Sequence, residues 1–264
     1  MMKVSCLGPE GSYSELAARQ LCPDYDVLLC KDFYDVVDCL VAGRSDYAVL
    51  PIQNSIQGGV SINLELLSEY DVLAIQSLFL KIDHRLATLQ GVALSDIKKV
   101  YSHEQAIGQC SKYLAEKLPS AKCLFASSTA ESLSKLDHET AGIVGAHIKK
   151  EGVVLSGENI ANEKNNRTQF VLMERKTGLP QKSSALFFVA VTEHVPGALL
   201  SLLQVFSAHR VNLTRIESRP VADMSGCCSF FIEISGDIAD ANISSAIADA
   251  KKLCKKFKLL GAYL

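Results

Sequence analysis

Asn165-Asn166-Arg167-Thr168-Gln169-Phe170 runs directly into Val171-Leu172-Met173, so a polar loop gives way within six residues to an apolar strand. On a strand successive side chains point to opposite faces, so Thr168 and Phe170 share one face and Arg167 and Gln169 share the other. A hydroxyl presented at the mouth of a strand can donate a hydrogen bond into a cleft, and a guanidinium can hold an anion or brace a wall. Standing alone, the stretch is also an ordinary way to begin a strand. Its significance depends on the rest of the chain.

Upstream, strand and helix patterns alternate. Val4 to Leu7 is a short apolar strand, closed by Gly8-Pro9-Glu10-Gly11-Ser12-Tyr13-Ser14 and followed by the helical pattern of residues 15–21. Ser12 or Ser14 can cap that helix, and the loop offers N–H groups and hydroxyls at a helix N-terminus, a seat for a carboxylate or phosphate. Residues 26–30 form a second strand and residues 33–40 an amphipathic helix. Tyr47 to Ile52 is a third strand, running into Gln53-Asn54-Ser55-Ile56-Gln57-Gly58-Gly59 before a helix over residues 60–69.

Extended segments over 72–80 and 86–89 carry the chain into a second lobe, about residues 80–150. There Lys99 to Ser102 is a strand, and a long helix starts at His103 and continues to Leu118. Ser102 is its expected N-cap, with Gln105 at the capping-box position. His103, which has no metal partner in the sequence, reads as a helix-start residue. Ser127-Ser128-Thr129 marks a further strand-to-helix junction, and residues 146–151 are expected to be helical after a buried strand over 141–145. In open α/β sheets ligands bind beyond the carboxyl ends of strands, so these loops are expected to converge on a cleft between the lobes.

Lys176 to Ser184 is polar, with a glycine and a proline, the composition of a linker. Beyond it the order changes to strand, helix, strand, strand, helix, strand within about 80 residues, the ferredoxin-like arrangement. The expected division is 1–178 for the two-lobed unit, 179–184 for the linker and 185–264 for the second unit. Lys251, Lys252, Lys255 and Lys256 are expected at a helix C-terminus.

Totals narrow the function classes. A length of 264 residues suits about two domains of ~100–200 residues. The formal charge of -2 and pI near 6.3 offer no general attraction for nucleic acid or an anionic membrane. No segment approaches the ~18 apolar residues of a membrane span, and the apolar run before Gly8 is too short for a signal peptide. The nine cysteines lack zinc-ligand spacing and read as buried thiols of a cytoplasmic protein. A small-molecule role with no metal is the expectation.

The motifs also resemble a known family. Gly8 to Ser14, Pro51-Ile52-Gln53-Asn54-Ser55, Ser102-His103-Glu104-Gln105-Ala106, Ser127 to Ala130 and Asn165 to Phe170 are similar, in that order, to the motifs of prephenate dehydratase. The tail resembles the ACT domain of the same enzymes through Pro196-Gly197-Ala198-Leu199 and Asn212 to Pro220. The resemblance implies a periplasmic-binding-protein-like catalytic domain followed by a ferredoxin-like ACT domain. It also implies conversion of prephenate to phenylpyruvate without a cofactor.

Thr168 would then assist the departing hydroxyl, with Asn54 and Gln105 in catalytic support. Gly11, Ser12, Gln53, Ser55, Ser102, Ser127, Ser128, Thr129, Arg167 and Phe170 would hold substrate. L-Phenylalanine would bind between two ACT domains at Pro196, Gly197, Ala198, Leu199, Asn212, Leu213, Glu217, Ser218, Arg219 and Pro220, in a homodimer or homotetramer. Two positions depart from the family: Gln53 stands where Glu is usual, and Gln169 where Arg is usual. Gln53 can hydrogen-bond but cannot exchange a proton, and Arg167, two residues from Gln169, is the expected substitute guanidinium. The departures leave open a prephenate decarboxylase, an arogenate dehydratase or a catalytically silent amino-acid sensor.

Overall fold

The computed structural model describes residues 1–126, 131–176, 178, 182–220 and 227–263. Its first lobe opens with β1 (Lys3–Leu7), α1 (Tyr13–Leu21), β2 (Asp26–Cys30), α2 (Phe33–Val41) and β3 (Tyr47–Asn54). A two-residue strand β4 (Gly58–Gly59), the helix α3 (Ser61–Glu69) and β5 (Val72–Lys81) follow. Ser12 and Asp32 cap α1 and α2 by accepting from the backbone N–H three residues on, which sets where each helix starts.

The second lobe comprises β6 (His84–Leu89), β7 (Lys99–Ser102), α4 (Glu104–Gln109), α5 (Ser111–Lys117), β8 (Lys122–Phe125), β9 (Thr140–Gly145) and β10 (Val153–Leu155). These strands form a separate sheet in the order β10-β6-β9-β7-β8. The chain then returns through β11 (Arg167–Arg175), which inserts antiparallel between β3 and β5. β1 pairs parallel with both β2 and β3, giving the first lobe its α/β character.

The C-terminal unit runs β12 (Ala185–Thr192), α6 (Ala198–Ala208), β13 (Leu213–Pro220), β14 (Cys228–Ser235), α7 (Ala241–Lys252) and β15 (Cys254–Tyr263). Its sheet order β13-β14-β12-β15 is the ferredoxin-like one. Alternation along β12 divides its side chains between two cores. Leu186, Phe188 and Ala190 pack under α6 and α7 with Leu202, Phe206 and Ile243, while Phe187 and Val189 join Leu50, Ile52, Val171 and Met173 of the first lobe. Each such fully buried side chain contributes roughly 1.5–3 kcal/mol, so the C-terminal sheet is packed firmly on the first lobe. The two sheets also join edge to edge where Gly261 pairs with Ala74. A Cβ on Gly261 would lie 2.9 Å from the Ala74 Cβ, so the approach requires glycine.

Several local expectations are corrected. The helix expected from His103 to Leu118 is broken at Cys110, because Asn162 intercepts its ladder. The Asn162 Oδ1 accepts from Lys112 N–H at 3.1 Å, its Nδ2 donates to the Gly108 carbonyl at 3.3 Å, and its own N–H donates to the Gln109 carbonyl at 2.6 Å. Residues 146–151 form turns instead of a helix. Lys255 and Lys256 lie on β15, past the end of α7 at Lys252. Cys123 is exposed, and Cys228 and Cys254 are half-buried, so the thiols are not uniformly interior.

Candidate active site

Between the lobes lies a cleft of about 510 Å³. One wall comes from loops of the first lobe, the other from β6 and α4, and Thr168 and Phe170 of β11 form part of the floor. The alternation read from the sequence places Thr168 and Phe170 here as expected.

Thr168 is held by an ordered polar chain. The Asn54 Oδ1 accepts from the N–H groups of Ile56 (3.0 Å) and Gln57 (3.1 Å), which fixes the orientation of that amide. Its Nδ2 is thereby turned to donate to Thr168 Oγ1 at 3.0 Å and to Asn166 Oδ1 at 2.8 Å. Because the Thr168 oxygen accepts, its own proton remains available to donate into the cleft. Asn166 Nδ2 continues the chain to Gln109 Oε1 at 3.2 Å. That oxygen also lies 3.0 Å from His84 Nε2, and since an amide oxygen only accepts, His84 carries its proton on Nε2. Burial lowers the His84 pKa, against the opposing pull of the Gln109 hydrogen bond and the Asp83 charge. His84 is therefore neutral at pH 7, and the Asn166 and His84 donors converge on the Gln109 oxygen.

The lobes are also tied at the rim. Tyr13, on the cleft wall, donates to the Asp83 carbonyl at 2.7 Å and accepts from the Asp83 N–H at 2.9 Å, at the point where the chain passes between the two sheets. Gln105 Nε2 donates to Gln57 Oε1 across the cleft. His147 Nε2 donates to the Gly11 carbonyl at 3.0 Å, anchoring the first loop from the second lobe, and burial lowers its pKa against that hydrogen bond and the Glu15 charge.

Not every residue expected at the site is in the cleft. Ser12, Asn54, Gln105, Thr168 and Phe170 line it. Gly11 stands behind, its N–H donating to Glu15. Ser102 is buried and donates to the Ile143 carbonyl at 2.8 Å; the expected cap is supplied by His103, whose Nδ1 accepts from Gln105 N–H at 3.3 Å. Gln53, Ser55 and Arg167 lie on the opposite face of the sheet. There they line a separate cavity of about 410 Å³ with Gln169, Arg215 and Glu233. Ser127, Ser128 and Thr129 fall outside the described residues. Among the described residues lining the cleft there is no lysine or arginine, so its polar character comes from amides, hydroxyls, histidines and backbone groups.

His84, Gln109 and Asn166 were not among the expected site residues. Gln109 lies four residues after Gln105 and so on the same helix face, a signal present in the sequence. His84 and Asn166 enter the site only through the pairing of distant elements.

The effector residues expected in the C-terminal unit also divide. Gly197, Ala198 and Leu199 line an apolar pocket of about 390 Å³ with Val195 and Phe230 at the start of α6. Asn212, Leu213, Ser218 and Pro220 belong to β13 or the turn before it, an edge strand, and do not line that pocket. Glu217 and Arg219 turn toward the first lobe.

Fold and cleft together define a two-lobed α/β protein with a polar cleft between its lobes, extended by a ferredoxin-like unit. The family model described as prephenate dehydratase matches residues 4–178. The chain is 31% identical over 275 residues to a bifunctional chorismate mutase/prephenate dehydratase of Escherichia coli (strain K12), covering 99% of this chain and 70% of that protein. It superposes with TM-score 0.89 on a prephenate dehydratase of Arthrobacter aurescens solved in complex with L-Phe (31% identity, 99% of this chain and 89% of that one). With the prephenate dehydratase of Staphylococcus aureus subsp. aureus Mu50 the TM-score is 0.87 (29% identity, 100% of both chains). The chain belongs to the prephenate dehydratase family. No helix among the described residues is long and apolar enough to cross a membrane.

Proposed function

We propose that this protein converts prephenate to phenylpyruvate, carbon dioxide and water, with Thr168 assisting departure of the ring hydroxyl. The observation that carries this reading is the Asn54–Thr168 hydrogen bond, with Asn54 as donor and the Thr168 proton left free inside the cleft. In the reaction the bond from the ring to its carboxylate breaks, the electron pair enters the ring, and the opposite carbon–oxygen bond breaks. The oxygen leaves as hydroxide, which takes a proton from solvent to become water, and aromatisation drives the step. A threonine hydroxyl is too weak an acid to transfer its proton fully, so its role is hydrogen-bond stabilisation of the oxygen as charge develops on it. Neutral groups suit this: a donor already oriented by Asn54 needs no reorganisation when the bond breaks.

The reading divides the chain into a dehydratase domain (1–178), a linker (179–184) and an ACT regulatory domain (185–264) that responds to L-phenylalanine. The apolar pocket at Gly197, Ala198 and Leu199 suits a phenyl side chain. The open edge of β13 offers a second copy of the chain a place to complete it with Asn212 and Leu213. A homodimer or homotetramer in the cytoplasm follows, and unpaired thiols fit that reducing compartment. Incubating purified protein with prephenate, with and without L-phenylalanine, tests both parts. Phenylpyruvate should form, read by its ultraviolet absorbance, and its formation should fall with L-phenylalanine; a non-aromatic product, or none, would overturn the reading.

A further inference from the structure

Strand β13 reaches the active-site hairpin through three charged side chains. Arg215, Glu217 and Arg219 alternate onto one face of that strand. Arg215 Nη2 donates to Glu217 Oε2 at 2.9 Å and to the Ile52 carbonyl at 3.2 Å. Arg219 donates to Glu217 Oε1 through Nε at 3.0 Å and Nη2 at 2.6 Å, and Nη2 also reaches the Gly59 carbonyl at 3.4 Å. One carboxylate thus holds two guanidiniums, and each guanidinium grips a different carbonyl of the β3–β4 hairpin.

That hairpin carries the chemistry. Ile52 lies two residues before Asn54, and Gly58 and Gly59 line the cleft. Glu217 packs directly on bare backbone: a Cβ on Gly59 would lie 2.1 Å from Glu217 Oε2. The Arg215 side chain is 6% exposed, with Cζ 5.3 Å from the centre of the Phe187 ring. A cation so placed depends on Glu217, its one ion-pair partner among the described residues, because removing that carboxylate would leave the charge buried and unpaired.

We infer that Arg215, Glu217 and Arg219 are positioning residues for the dehydration, a clamp through which the C-terminal unit holds the hairpin bearing Asn54 and the cleft glycines. The clamp rests on the proposed reaction for its functional meaning. It also gives Glu217 and Arg219 a role different from direct contact with an effector. Ser218 and Pro220, exposed on the other face of the strand, stay free to meet one.

The test uses the full chain. Gly59→Ala and Glu217→Ala are each expected to lower kcat on the order of tenfold or more while KM changes far less, since displacing a support by about 1 Å can cost up to ~100-fold in rate. Glu217→Asp withdraws the carboxylate by one methylene while keeping its charge, so the Gly59→Ala/Glu217→Asp double variant should turn over faster than Gly59→Ala alone. Amide exchange at residues 57–60 should quicken in Glu217→Ala relative to β1 and β9. Wild-type kcat in both single variants, or a double variant slower than Gly59→Ala, would overturn the clamp. If Glu217→Ala does not fold, Arg219→Gln takes its place with the same expectations. Failure of the wild type to convert prephenate would instead sink the reaction assignment, and amide exchange would still decide the clamp.

Discussion

Gln53 on β3 and Gln169 on β11 are direct register partners, facing each other on the sheet surface opposite to Thr168. The two positions at which this chain departs from the usual Glu and Arg of its family are therefore one cross-strand pair. Two amides face each other where the first-lobe sheet meets the C-terminal unit. Gln169 is 2% exposed, and a neutral amide is far less costly to bury there than an unpaired ion. Neither residue lines the cleft, so an amide in place of a carboxylate at position 53 takes no proton carrier from it.

Introducing one charge here should harm and introducing both should not. Gln53→Glu places a carboxylate in the cavity that Glu233 also lines, and should lower Tm. Gln53→Glu with Gln169→Arg should recover most of the loss, with a coupling of about 1 kcal/mol, as cross-strand charge pairs give. Thermal melts of the wild type, Gln53→Glu, Gln169→Arg and the double variant measure this; strictly additive changes would contradict the pairing.

Arg167, expected from sequence to replace the missing guanidinium, shares the face of Gln169 and not that of Thr168. Arg167→Ala should leave KM for prephenate within about twofold, since truncating a surface group outside the site costs little. A rise of ten times or more would show that the cleft draws on this residue.

Stability should fall on mild acidification. Burial holds His84 and His147 below the ordinary histidine value, so between their folded values and about 6.5 the unfolded chain binds more protons than the folded one. In that window stability rises with pH and is lost as pH drops below about 6.5. Chemical denaturation at pH 7.5 and 5.5 should show the difference, and His84→Gln should reduce it; an unchanged midpoint in the wild type would contradict the neutral assignment.

Asn54 acts through Thr168 in this account. Asn54→Ala should cost kcat on the order of 10- to 100-fold, and combining it with Thr168→Val should add little beyond Thr168→Val alone, because residues that work as a unit are not additive. Multiplying losses would mean that the two groups serve separate steps.

Much of this site was legible in the chain. Period-two alternation separated Thr168 and Phe170 from Arg167 and Gln169, and the strand-to-helix loops located Ser12 and Asn54. The same alternation already set Arg167 apart from Thr168; what it could not supply was which face looks into the cleft. That depends on the C-terminal unit packing Phe187, Val189 and Phe231 against the first lobe, a contact between elements distant in sequence. His84 was invisible for the same reason, and Asn166, although only two residues before Thr168, shows its role only once Asn54 and Gln109 stand beside it. The helix cap moved from Ser102 to His103 because the Ser102 hydroxyl is used by the Ile143 carbonyl of the neighbouring strand, and the helix beyond broke because Asn162 lies in a loop some 50 residues away.

The most direct measurement is the turnover of prephenate by Thr168→Val beside Thr168→Ser, since valine keeps the shape and deletes the hydroxyl while serine keeps the hydroxyl. Thr168→Val is expected to lose about 100-fold or more in kcat with KM changed only slightly, the scale seen when one oriented donor is removed. Thr168→Ser should retain most of the activity. A Thr168→Val enzyme with wild-type kcat would contradict the role given to that hydroxyl.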